Sequence, residues 1–242
     1  MAKTKFRGWE YAKEGDYHKN LDPDWSYTPT YLKKMYHIRG FFDSLPKGTK
    51  ILDAGCGEGV LVEEYLAKGY TIQGIDLNYE SKIVMRGDIL NMPFKDKSFD
   101  VVLLLDVFEH LAFSDQPKAL KEIQRVLSVG GGYLLASIPN LAHLNSRIMF
   151  FMRGNFQRTD CEENHPGERP IRENIKLLRE GGFGIEKIIG ITLTVPIIYN
   201  CVICRKPSWF LWLHNFLDYF AIPSMAMLNL FVCKKKKGEE GQ

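Results

Sequence analysis

The chain has 242 residues, 45% of them hydrophobic and 25% charged, and a formal net charge of +3. That balance excludes a disordered or fibrous chain, and the length suits one α/β domain with additions. The charge is too mild to demand a nucleic-acid or membrane partner by itself. Five cysteines (Cys56, Cys161, Cys201, Cys204 and Cys233) are an odd number without regular spacing, and the start, Met1-Ala2-Lys3-Thr4-Lys5, carries no apolar signal region. Reduced thiols in a cytoplasmic protein are the expectation.

Residues 1–26 place Trp9, Tyr11, Tyr17 and Trp25 among charges without a period, so they read as an irregular arm. A helix is expected over 29–45, where apolar residues fall at helical spacing and "PKG" stops it. This arm and cap helix, 1–45, precede one domain over 46–237, and 238–242 form a polar tail. Within the domain the pattern predicts strands at 51–54, 71–76, 83–86, 101–105, 133–138, 185–191 and 228–233. Helices are predicted at 59–68, at 117–127 with Ser114 or Asp115 as N-cap, and at 172–180 before Gly181-Gly182. Strands alternating with helices mean a mostly parallel sheet with helices on both faces. One connection is abnormal. Only 77–81 separate the second and third strands, whereas parallel neighbours usually need a dozen or more residues. Either the crossover helix is missing or the third strand is misplaced.

"ILDAGCGEG" sets Gly55, Gly57 and Gly59 on alternate positions directly after a buried strand. Glycines there let the backbone turn tightly and let a ligand approach a helix start whose N–H groups are uncommitted. The spacing differs from the G-x-G-x-x-G of dinucleotide folds, and Asp53 and Glu58 would repel a pyrophosphate but suit a ligand carrying positive charge. Asp76, 21 residues after Gly55, ends the next strand, where an acid accepts hydrogen bonds from ribose hydroxyls. Asp88 and Asp106 sit at further strand ends. Such ends are where open α/β sheets bind ligands.

"LDAGCGEG", "GIDLN", "GDILNMPFKDKSFDVVLLLDVFEHL" and "LKEIQRVLSVGGGYLLASIPN" resemble the successive motifs of class I S-adenosylmethionine-dependent methyltransferases. The resemblance covers about residues 48–140. It implies a Rossmann-like seven-stranded sheet, mostly parallel, whose last strand is antiparallel, with insertions after strands 5 and 6. It implies S-adenosyl-L-methionine as cofactor, with Asp53, Gly55, Cys56, Gly57 and Gly59 at the methionine end, Asp76 on the ribose, Leu77, Asp88 and Ile89 around the adenine, and Asp106 at the same edge. The sequence departs from the family at the missing helix after Asp76 and in "LSVGGG", which replaces a Lys-Pro-Gly-Gly turn.

For the chemistry, "DVFEH" offers Glu109 and His110, and the two later loops offer His143 and His165. Three readings stand side by side. Asp106, Glu109, His110 and His165 resemble the E-x-x-E-H plus distant His set with which some O-methyltransferases hold a divalent metal, with Asp in place of the first Glu. One of the three histidines can instead serve as a general base without metal. Or Glu109 and His110 simply anchor the turn after the fourth strand.

Two insertions, 140–169 and 192–226, sit where specificity is usually carried. The first mixes Phe and Met with His143 and Arg, a composition suited to walling a pocket for an amphipathic acceptor. The second leads into 209–232, where Asp218, Pro223 and Asn229 exclude a membrane span. Buried packing is the commoner use of its aromatics, with a dimer face, a lid or a peripheral membrane contact also open. Cys201-x-x-Cys204 lacks a second pair and is read as structural rather than as a zinc site. These features together predict a cytoplasmic methyltransferase acting, most readily at oxygen, on a small-molecule or lipid-linked acceptor. Its rivals are a non-catalytic cofactor-binding scaffold and an RNA 2′-O-methyltransferase, against which the absence of a basic stripe argues; no nucleic-acid partner is expected.

Overall fold

The computed structural model describes residues 21–129, 131–159 and 164–236. Trp9, Tyr11 and Tyr17 of the expected arm, Cys161, and the tail from 237 onward lie outside them. In chain order the elements are α1 (Thr28–Asp43), β1 (Lys50–Ala54), α2 (Val60–Ala67), β2 (Thr71–Asp76), β3 (Val84–Arg86) and β4 (Val101–Leu105). A 3₁₀ turn (Phe108–His110), α3 (Gln116–Val126), β5 (Tyr133–Pro139) and α4 (Leu144–Arg153) follow, then α5 (Ile171–Glu180), β6 (Phe183–Leu193), α6 (Leu211–Asp218) and β7 (Ala226–Lys235). The strands form one sheet in the order β3-β2-β1-β4-β5-β7-β6. All neighbours are parallel except β7, which runs antiparallel to both β5 and β6.

The strand alternation sorts the core into two layers. Leu52, Val102, Leu104, Leu134 and Phe231 face α3 and α5, where Leu120, Ile123 and Leu178 cover them. Ile51, Val101, Leu103, Leu135 and Leu230 face the other way, against Met35, Ile38 and Phe42 of α1 and Val62 and Tyr65 of α2. Each such side chain taken out of water contributes roughly 1.5–3 kcal/mol, so a run of apolar residues on both faces of every central strand suffices to define the layers. Phe42 and Tyr65 stack across the α1–α2 contact at 3.7 Å.

The short β2–β3 connection is resolved in favour of a lost helix. β3 enters level with Gly74, two residues back from the end of β2, so the chain has only a short distance to retrace. Asp76 braces this turn by accepting from the Asn78 and Tyr79 N–H groups at 2.8 and 3.2 Å. Of the two residues expected to cap α3, Asp115 is the N-cap. Its side chain makes no capping bond and instead takes Lys118 at 2.9 Å.

Two helices had no counterpart in the sequence reading, and both are inverted. α4 buries Asn145 and Ser146 while Phe150, Phe151 and Met152 stand in solvent. α6 buries His214 and Asp218 while Trp212, Phe216 and Tyr219 stand in solvent. Burial inside this chain is therefore not the use of Trp209, Trp212, Phe216, Tyr219 and Phe220 from the aromatic stretch 195–223. Among the described residues no helix is long and apolar enough to cross a membrane.

Candidate functional site

The C-terminal ends of β1, β2, β4 and β5 open into one cavity of about 580 Å³. Asp53, Gly55, Cys56, Gly57, Asp76 and Leu77 line it from β1 and β2, and Asp88 and Ile89 from the segment after β3. Asp106, Glu109 and His110 line it from the end of β4, with His143 and His165 from the insertion after β5. Apart from Gly59, the sequence-based site residues thus meet in one space.

The glycine loop is bare by construction. Gly55 and Gly57 have φ of 82° and 56°, and a Cβ on Gly55 would stand 2.4 Å from Val107 Cγ2. Gly59 is absent from the cavity wall: its missing side chain makes room for Val84, which serves helix–strand packing. Asp76 Oδ2 accepts from the Gly57 N–H at 2.9 Å, so the carboxylate spans the glycine loop and the turn after β2. Oxygens held this way keep further lone pairs for hydroxyl donors.

Asp106 is engaged from three sides. It has φ of 53°, and its carboxylate pairs with the Lys34 ammonium, accepts from Tyr27 Oη at 2.6 Å and meets Ser137 Oγ. Burial pushes its carboxyl up, but Lys34 and the hydrogen bonds from Ser137 and Tyr27 outweigh that and hold it below the ordinary value. Lys34, Tyr27 and Ser137 were missed from the sequence. A signal existed for Lys34, which lies beside Tyr31, Met35 and Ile38 on the buried stripe of α1.

Glu109 shows the opposite response. It is nearly fully buried, and its Oε2 has no hydrogen-bond partner. Burial, then the charges of Asp106 and Glu168, push its carboxyl well above the usual range. Glu168, also missed, is buried with its oxygens on the Thr159 N–H at 3.1 and 3.3 Å.

His165 reaches this cluster because its loop is stitched to the 3₁₀ turn. The Gly167 N–H donates to the Glu109 carbonyl at 2.9 Å, and Gln116 Nε2 bridges the carbonyls of Phe108 and Gly167. A Cβ at 167 would fall 1.9 Å from the Leu111 carbonyl oxygen, so the approach requires glycine. The His110 and His165 rings meet edge to face at 4.8 Å, and one ligand atom from each of Glu109, His110 and His165 lies within 4.8 Å of the others. The four-residue metal set thereby shrinks to three, because the cation at Asp106 is the Lys34 ammonium.

His143 is used by the fold. It is the N-cap of α4, its Nδ1 accepting from the Ser146 N–H and lying 2.8 Å from Thr194 Oγ1. Burial lowers its pKa to about 4, with a weaker opposing pull from the Gln157 backbone. Such a ring stays neutral near pH 7 and takes a proton poorly.

Residues 52–135 match a family described as a methyltransferase domain. A probable S-adenosylmethionine-dependent methyltransferase of Mycolicibacterium smegmatis is 30% identical over 154 residues, 60% of this chain and 55% of that protein. A tRNA (carboxymethyluridine(34)-5-O)-methyltransferase of Arabidopsis thaliana is 29% identical over 120 residues, 45% of this chain and 29% of that protein. The chain thus spans about half, or less, of the length of these relatives. Among solved structures, an S-adenosylmethionine-dependent methyltransferase of Thermotoga maritima, described as a possible histamine N-methyltransferase, superposes with a TM-score of 0.57 at 18% identity. That superposition covers 94% of this chain and all of the other, and it carries the fold. Residues 52–135 thus match a methyltransferase domain, and the fold of the chain is that of S-adenosylmethionine-dependent methyltransferases. The cavity suits S-adenosylmethionine: Gly55 and Gly57 line it together with Asp53 and Asp76, and negative groups favour a sulfonium.

Two predictions follow from these geometries. Lys34→Met strips the cation from buried Asp106; removing one partner of a buried pair costs roughly 3–5 kcal/mol. Denaturant unfolding should show a loss of that order, with part recovered in the Lys34→Met/Asp106→Asn double variant; an unchanged midpoint rejects the pairing. His143, with a folded pKa of about 4 against 6.5, contributes stability that is fully present above pH 6.5 and is lost as pH falls through 4. The difference amounts to on the order of 3 kcal/mol. The stability gap between the wild type and His143→Asn should narrow by about that amount from pH 7 to pH 4, and a pH-independent gap would show that the ring is not buried neutral.

Proposed function

We propose that the protein is an S-adenosylmethionine-dependent methyltransferase that methylates an oxygen of a small or lipid-linked acceptor. The observation that carries this reading is the continuity of the cavity. It runs from the glycine loop and Asp76 to Glu109, His110 and His165, with Met35, Leu111, Tyr199 and Leu228 as apolar wall. Asp53 and the Gly55 and Gly57 backbone would hold the methionine end, Asp76 the ribose hydroxyls, and Leu77, Asp88 and Ile89 the adenine. S-adenosylmethionine, when bound, supplies a methyl group already activated on a sulfonium. What is left to the chain is to align the acceptor oxygen and take its proton.

His110 suits the proton transfer. Its Nδ1 lies 2.8 Å from the Asn164 carbonyl oxygen, which can only accept. Nδ1 therefore donates its hydrogen there, which leaves Nε2 as the ring nitrogen able to take a proton. Glu109, its carboxyl biased toward the neutral form, lies beside this ring, with one of its oxygens within 4.8 Å of a His110 nitrogen. His165 positions His110 through its edge contact. His143 is set aside as a base, since burial opposes its protonation.

A second reading has its own support. The unpartnered Oε2 of Glu109 and the two histidines offer three ligands for a divalent cation, and His110 would be oriented through its Nδ1–H as metal-binding histidines usually are. Such an ion would favour the ionised form of Glu109 and orient the acceptor oxygen.

One assay series tests these readings. Purified protein should transfer labelled methyl from S-adenosylmethionine into a small-molecule or lipid extract. Cofactor binding without transfer into any acceptor pool supports a scaffold, and label in RNA overturns the acceptor class. Activity that persists in chelator retires the cation; loss restored by Mg²⁺ or Mn²⁺ supports it. Asp76→Ala removes hydrogen bonds to a charged acceptor, each worth roughly 1.5–3 kcal/mol. Cofactor affinity by calorimetry should fall about 10- to 150-fold, and an unchanged dissociation constant refutes the ribose role.

A further inference from the structure

The two inverted helices share a neighbourhood. Leu144 N–H donates to the Met225 carbonyl at 3.0 Å and Arg147 donates to the Ser224 carbonyl at 2.8 Å, which joins α4 to the segment that follows α6. Residues from both insertions, among them Asn145, Arg158, Tyr199 and Asn200, also wall the cavity.

α6 is held by its polar side. Asp218 accepts from the Leu193 N–H at 2.9 Å and pairs with Lys33 at 3.3 Å, while His214 lies 3.5 Å from it. This anchorage turns Trp209, Trp212, Phe216, Tyr219 and Phe220 outward at helical spacing, with Trp212 at 68% and Tyr219 at 86% exposure. Phe151, at 91%, and Met152 stand out from α4. The exposed charges that these two segments themselves contribute are cationic, with Asp24 as the acid beside them. Residues 140–159 contain no acid, and in 192–226 the only acid is Asp218, which is buried. Arg147, Arg153, Arg205 and Lys206 are all exposed, and Lys206 is paired with Asp24 at 3.5 Å.

We propose that this face, the aromatic stripe of α6 with the exposed end of α4, docks the protein on an anionic lipid surface and so sets the cavity beside a lipid-linked acceptor. Trp and Tyr suit the headgroup level, apolar faces of short helices bury there, and cations nearby draw the protein to anionic lipid. A nucleic acid is a poorer match, because the α6 stripe itself carries no cation and phosphate recognition depends on many. A second copy would bring the same cations against one another. The proposal rests on the lipid-linked reading of the acceptor, but it is tested without turnover, so a failed methyl-transfer assay and a failed docking assay remain distinguishable.

The test is flotation of the full chain with vesicles of phosphatidylcholine, with and without phosphatidylglycerol, alongside sedimentation velocity and RNA gel shift. Binding should require phosphatidylglycerol and weaken with salt. The triple variant Trp212→Ala/Phe216→Ala/Tyr219→Ala should partition at least about tenfold less while its melting temperature and cofactor affinity hold. Should that variant misfold, bromolipid quenching of tryptophan in the wild-type protein, with no side chain altered, is the deciding readout. No flotation, or no quenching by bromolipid, overturns the proposal. So does a concentration-dependent dimer or an RNA complex that the triple variant abolishes.

Discussion

Lys34 enters the cavity from α1 and sets its ammonium against the Asp106 carboxylate, with Tyr27 and Ser137 completing the shell. The contact joins the helix that precedes the sheet to the end of its central strand β4, so the cap and the cavity wall form one unit. Its electrostatic consequence spreads further. With Asp106 held as an anion, the neighbouring Glu109 meets a fixed negative charge in a buried setting, and its own ionisation becomes unfavourable. Two acids three residues apart are thereby pushed in opposite directions. That separation, one acid paired with a cation and the other buried with an unpartnered oxygen, is how adjacent carboxylates come to differ in their readiness to ionise.

The second constraint is geometric. A loop more than fifty residues downstream must approach the turn after β4 closely enough to add His165 and Glu168, and the backbone contact at Gly167 allows this only without a side chain. Gln116, the first residue of α3, closes the same junction from below. The cluster is thus held by backbone hydrogen bonds on one side and a buried amide on the other. Side chains oriented in this way lose little freedom when an acceptor arrives, which is the physical content of preorganisation.

Much of the sheet was legible because it depends on local rules. Central parallel strands are apolar on both faces, so 51–54, 71–76 and 101–105 stand out as short apolar runs, and the glycine loop declares itself by spacing. The acids at the cavity edge were legible for the same reason, as they sit at strand ends. What stayed hidden depends on tertiary partners. Nothing in "YLKKMYHI" says that Lys34 will find an anion 72 residues away, beyond the anomaly of a lysine on a buried stripe. Glu168 and Ser137 carry no signal of their own. His143 was weighed as a base because sequence shows that a histidine follows β5, but not that the next helix would use its ring as a cap.

α4 and α6 escaped detection because sequence patterns are read on the assumption that apolar residues turn inward. Here the assumption is reversed, and the reversal has a cause: each helix is fastened through polar groups, Asn145 and Ser146 in one and Asp218 in the other, to partners within the insertion, β6 and α1. Burying polar groups is unfavourable unless they are partnered, and exposing a row of aromatics gains nothing in water. Both terms occur together in the two segments that also wall the cavity, and the docking surface proposed above accounts for them jointly. The sheet and glycine loop would fold equally well without it. The insertions therefore carry features that the sheet itself does not require, and it is on these that the proposed docking face rests.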